Sequence, residues 1–161
     1  MRFKEWLENQ NLYHGTSHEF NNFDLHRAGE RDFGDIGVGI YLTFHPRLAQ
    51  MYAYESAKNS GGEPIVLVIK HTLKNIADLS DEKLLNQITQ ETGAPFPKKL
   101  DLIAGKQTRS HEESLAITHY LTKLGYDGAK KGSEVVAYDP AKLEIIRKVP
   151  AEDADVLSNL A

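Results

Sequence analysis

The chain contains no cysteine. Disulfides and thiolate metal sites are therefore excluded, and a cytoplasmic setting fits. A long hydrophobic run is missing too. The longest strongly apolar stretch, Ile65 to Ile69, falls far short of the ~20 residues that cross a bilayer. The first ten residues, Met1 to Gln10, carry charge throughout and have no apolar core, so no signal peptide is expected. Basic charge is not in excess. Lys and Arg number 19 against 23 Asp and Glu, a net charge of −4, which disfavours a broad nucleic-acid-binding face but leaves room for a local basic patch. Internal repeats and low-complexity segments are absent.

What is present suits one globular domain. The 161 residues are 40% hydrophobic and 26% charged, enough for a sizeable core. We read residues 1–161 as a single domain, with residues 1–10 supplying an N-terminal helix and 150–161 a frayed tail. In the helix, Phe3, Trp6 and Leu7 lie on one side. Short Val, Ile and Leu runs bounded by Gly and Pro predict strands at Leu12–His14, Gly39–Thr43, Ile65–Lys70, Gly128–Lys130, Glu134–Tyr138 and Leu143–Arg147. Helices are predicted over Pro46–Lys58, Asp81–Thr92 and Ser110–Leu124. Pro46 suits a first helical turn, Ser110-His-Glu-Glu113 has the form of a capping box, and Gly125 sits where a C-terminal cap belongs. Ser17 to Gly37 is polar and glycine-punctuated, a long loop suited to covering a ligand. Ala94 to Lys99, with two prolines, breaks the chain between the second and third of these helices. Strands at both ends with helices between them give an α+β fold class.

Three separated segments carry chemistry: Leu12-Tyr13-His14-Gly15-Thr16, Gly37-Val38-Gly39-Ile40-Tyr41-Leu42-Thr43, and Glu134-Val135-Val136-Ala137-Tyr138-Asp139-Pro140. Each sets a His, Tyr or Glu in or beside a strand-length apolar run. If the strands converge, an imidazole, a phenol ring and a carboxylate line one cleft, a set that suits a flat cationic ring joined to a sugar diol. Gly15 has no Cβ, so its N–H and C=O offer a donor and an acceptor at close range, as a carboxamide requires. Tyr41 and Tyr52 present two aromatic faces, able to sandwich a pyridinium ring by stacking and cation–π attraction. Glu134 supplies a fixed carboxylate for an oxocarbenium-like charge.

In this order, the segments resemble the His-Tyr-Glu group of ADP-ribosyltransferases, the diphtheria-toxin-like and poly(ADP-ribose) polymerase branch. The resemblance covers Leu12 to Ile146. It implies two facing, mainly antiparallel β-sheets with flanking helices and an NAD+ cleft between them. By the same resemblance His14 and Thr16 belong to the NAD+ site, with His14 on the adenosine-side ribose and Gly15 on the nicotinamide carboxamide. Tyr41 and Tyr52 match the stacking pair in spacing, and the resemblance makes Glu134, with Tyr41 and His14, the catalytic set.

The chain departs from the pattern in two places. Polymerase members carry a serine three residues before the second tyrosine, where this chain has Ala49. One carboxamide hydrogen bond, worth about 0.5–1.5 kcal/mol, is then missing. Arginine-modifying relatives carry a second Glu two residues before the catalytic one, where this chain has Gly132, so arginine targeting is disfavoured. His111 and His119 lie two helical turns apart, not at a zinc-pair spacing, and no His-Glu-x-x-His occurs, so no metal is expected. Lys130 and Lys131 precede Glu134 in the segment that, by resemblance, helps choose the acceptor, yet solvated lysines are the simpler reading. Arg27, Arg31 and Lys106 are pyrophosphate candidates on charge alone.

The expectation is a monomeric, toxin-like enzyme that uses NAD+ as substrate, expels nicotinamide and transfers a single ADP-ribose to a protein or nucleic acid. The alternatives are an NAD+ glycohydrolase using water as acceptor and a non-catalytic NAD+- or ADP-ribose-binding module.

Overall fold

A computed structural model of the chain describes residues 3–24, 36–94 and 110–160. The elements run α1 (Phe3–Glu8), β1 (Leu12–Thr16), β2 (Ile40–Thr43), α2 (Pro46–Ser60), β3 (Ile65–His71), β4 (Ile76–Asp78), α3 (Glu82–Thr92), α4 (His111–Lys123), β5 (Gly128–Lys131), β6 (Glu134–Ala137), a 3₁₀ turn (Pro140–Lys142), β7 (Leu143–Pro150) and α5 (Ala154–Ser158). The fold is α+β, as expected.

Hydrogen bonding joins the strands into one seven-stranded sheet, in the order β4-β5-β6-β2-β1-β3-β7, where two separate sheets were expected. All neighbours are antiparallel except β4 and β5, which run parallel. The seam between β2 and β1 is narrow. β1 pairs with β3 along its whole length, from Leu12↔Ile69 to Thr16↔Ile65, but meets β2 at a single pair, Tyr13↔Thr43.

Packing follows this division. Leu12, Leu67 and Ile69, from β1 and β3, share a core with Ile40, Leu42, Val135 and Ala137, from β2 and β6. Side chains alternate along a strand, so the next residues face the other way. On the β4–β6 half, Ala77, Ala129 and Val136 pack with Ile88 of α3 and Ile117 and Leu121 of α4. On the β1–β3–β7 half, Tyr13, Val66, Val68 and Val149 pack with Ala49 of α2 and Leu157 of α5. One face of both halves thus forms a common core, and each half carries its own helices on the reverse.

Local chemistry accounts for the helix ends. Ser110 Oγ accepts from the Glu113 amide at 3.2 Å, and Glu113 Oε1 accepts from the Ser110 amide at 3.1 Å, the reciprocal capping box. Pro46 opens α2, and Gly125 follows α4 at φ +97°. The C-terminal residues differ from the expected tail. β7 runs on to Pro150, Asp153 caps a short helix by accepting from the Val156 amide, and Leu157 is fully buried. The Pro-rich break after Ala94 and the middle of the Ser17–Gly37 segment lie outside the described residues, as do Arg27, Arg31 and Lys106.

Candidate active site

The three chemistry-bearing segments fall on three adjacent strands. β1 holds His14 and Gly15, β2 holds Tyr41, and Glu134 opens β6. The register aligns Lys131, Glu134, Thr43 and Tyr13 in one row across the sheet. Directly opposed residues in antiparallel strands share a face. Tyr41 lies two residues from Thr43 and so shares that face with Glu134. It pairs with Val136, two residues along from Glu134, which makes Tyr41 and Glu134 diagonal neighbours on one face, their Cβ atoms somewhat under about 7–8 Å apart. Tyr41 and Thr43 also lie where the helices of one half give way to those of the other.

Beyond Tyr13 the β1–β2 ladder stops. Continuing its register would oppose Gly15 to Tyr41, but no such pair forms. The His14 imidazole occupies part of the parting instead, with Nδ1 2.7 Å from the Tyr41 carbonyl oxygen. A carbonyl only accepts, so Nδ1 carries the proton. Burial pushes the imidazole pKa below its usual value, against a smaller opposing effect of that carbonyl. At pH 7 His14 is therefore neutral, and Nε2 presents a lone pair. His14 lies on the common-core face, alternate to that of Glu134. Phe20 and Phe23 meet its ring edge-on, at centroid distances of 6.0 and 5.3 Å.

Gly15 meets a demand that the sequence did not reveal. A Cβ here would overlap the Ala49 carbonyl oxygen and stand 2.7 Å from the Ala53 amide nitrogen. The glycine lets α2 lie directly on β1. Ala49 is fully buried at this contact. Tyr52 lies on α2, next to Ala53, and is 43% exposed. Thr16 ends β1, buried, with its hydroxyl accepting from the His18 amide at 3.2 Å.

Hydroxyl groups fix the approach to β2. Tyr41 Oη donates to the Gly37 carbonyl and accepts from the Ile36 amide, Tyr138 Oη donates to the Ile36 carbonyl at 2.7 Å, and Thr118 Oγ1 accepts from the Val38 amide at 2.8 Å. Gly37 adopts φ +110°, which L side chains disfavour, and a Cβ would press on Thr118 Oγ1. These bonds hold the Tyr41 ring by its far end. Burial raises the Tyr138 pKa well above the ordinary phenol range, so it remains a donor.

Sequence reasoning overlooked three residues. Phe20 and Phe23 flank His14, a pairing hinted at only by two closely spaced phenylalanines in a largely polar segment. Asp127, largely buried, accepts from the Lys74 and Asn75 amides at 2.9 and 3.0 Å and pairs with Lys142 Nζ at 3.0 Å. It ties the β3–β4 link to the start of β5. Among the described residues no cluster of three or more His, Cys, Asp or Glu is arranged to hold a metal ion, and no helix is long and apolar enough to cross a membrane.

No protein-family model matches the chain, and no curated protein matches it by sequence. A solved structure is similar to it, the M. tuberculosis MbcT-MbcA toxin–antitoxin complex. The TM-score is 0.56 at 14% identity, over 94% of this chain and 88% of that one. That likeness establishes a shared fold.

Proposed function

We propose that this chain is an NAD+-dependent ADP-ribosyltransferase that releases nicotinamide and passes one ADP-ribose unit to a macromolecular acceptor. The observation that carries the reading is the parting of β1 from β2 beyond Tyr13↔Thr43, with His14 and Gly15 on one bank, Tyr41 on the other, and Glu134 on the next strand, opposite Thr43.

In this reading the nicotinamide carboxamide bonds the Gly15 main chain. The Tyr41 ring, held at its hydroxyl, stacks on the pyridinium, and Tyr52 covers it from α2. Nε2 of neutral His14 accepts from a hydroxyl of the adenosine-side ribose. The bond between ribose C1′ and the nicotinamide nitrogen breaks, its electron pair leaves with neutral nicotinamide, and cationic charge spreads over C1′ and the ring oxygen. Glu134 accepts a charge-assisted hydrogen bond from a hydroxyl of this nicotinamide-side ribose and stabilises the cation. An acceptor nucleophile then bonds to C1′ and loses its proton. That proton passes to solvent, and apart from the acceptor every group required belongs to the chain or to NAD+.

The solved neighbour is part of a toxin–antitoxin complex, which supports a toxin-like setting for this chain as well. Water in place of the macromolecule would make the chain an NAD+ glycohydrolase with the same residues. NAD+ labelled on its adenosine half, incubated with the purified chain and a cell lysate, separates the outcomes. Label on protein or nucleic acid supports transfer and names the acceptor class. Label only in free ADP-ribose supports hydrolysis, and label left in NAD+ rejects both.

A further inference from the structure

We propose that Phe20 and Phe23 are positioning residues for NAD+ binding, holding the His14 ring so that its Nε2 is aimed at the ligand; this rests on the function proposed above. Three rings form the device. Phe20 and Phe23 contact each other at 5.0 Å with planes inclined by 72°, and each meets His14, Phe23 at an interplanar angle of 90°. Edge-to-face packing of this kind is directional, so it restricts rotation of the imidazole about its Cβ–Cγ bond. The Tyr41 carbonyl at Nδ1 alone leaves a swing about that hydrogen bond, and the rings close it. Both phenylalanines are partly buried and pack against the common core. The wall therefore belongs to the scaffold. The same enclosure strips water from the imidazole, in line with its lowered pKa.

The test replaces each phenylalanine by leucine, which keeps apolar bulk but removes the ring edge, and Phe23 by tyrosine, which keeps the ring. NAD+ kinetics are read by nicotinamide release. The His14 imidazole C–H signals, assigned by their loss in His14→Gln, are read by NMR. Phe23→Leu is expected to raise KM about tenfold, the equilibrium worth of one hydrogen bond, with kcat within about twofold and the His14 signals displaced. Phe23→Tyr is expected to restore both. An unchanged KM in Phe23→Leu overturns the proposal, and so do unmoved His14 signals. If Phe23→Leu does not fold, Phe20→Leu supplies the same reading. Absence of nicotinamide release from the wild type would reject the proposed function instead, and the His14 signals would then decide the positioning claim alone.

Discussion

His14 donates from Nδ1 to the main-chain carbonyl of Tyr41 at 2.7 Å, across two strands that have ceased to pair. The side chain takes a carbonyl that a continued ladder would have used. One bond thereby fixes a tautomer, holds two strand ends at a set separation and leaves Nε2 to accept. We expect His14→Ala to raise KM for NAD+ about tenfold through loss of that acceptor, measured by nicotinamide release across NAD+ concentrations.

A pH dependence follows from the same residue. Its folded pKa lies below the ordinary 6.5, so the unfolded chain takes up the proton first. The contribution of neutral His14 is intact above the unfolded value and is lost as pH falls through 6.5 toward the folded value. Wild type should therefore lose more melting temperature between pH 7.5 and 5.5 than His14→Gln does. Equal losses would refute the assignment.

Gly15→Ala tests the contact between α2 and β1. The added methyl meets backbone atoms of Ala49 and Ala53, which cannot swing aside as a side chain would. Urea unfolding should show a loss of about 3 kcal/mol, the upper end for overpacking.

Tyr138→Phe removes the hydroxyl that serves the Ile36 carbonyl. A buried acceptor is left without that donor, at a cost of about 1–3 kcal/mol. Since Ile36 and Gly37 hold the Tyr41 hydroxyl, kcat/KM for NAD+ should fall with stability. Asp127→Ala, by contrast, loosens the link from β3 to β4 on the far side of the sheet. It should cost about 3 kcal/mol while leaving KM unchanged in the folded fraction.

How legible was this in the sequence? Elements carrying their own signals were readable: α4 through its Ser110–Glu113 box, α2 through Pro46, β3 through its continuous apolar run. The order of the three segments was readable as well, and the fold brings them onto neighbouring strands. β4 was not, because three residues hold as a strand only by pairing with β5. α5 escaped notice because so short a helix depends on Leu157 being buried under it rather than on propensity. Gly15 looked like a ligand-facing glycine, yet its missing Cβ is demanded by a helix whose approach is a tertiary fact. The single pair joining β1 to β2 follows from no local pattern either, and it makes the candidate site.

The most direct test of the central claim is the rate of nicotinamide release from NAD+ by the wild type and by Glu134→Gln, which keeps the side-chain shape and removes its charge. Measurable release by the wild type is expected, with a fall of about 100-fold or more in the variant, the scale of losing one charge-stabilising group in a transition state. Equal rates in the two would contradict it.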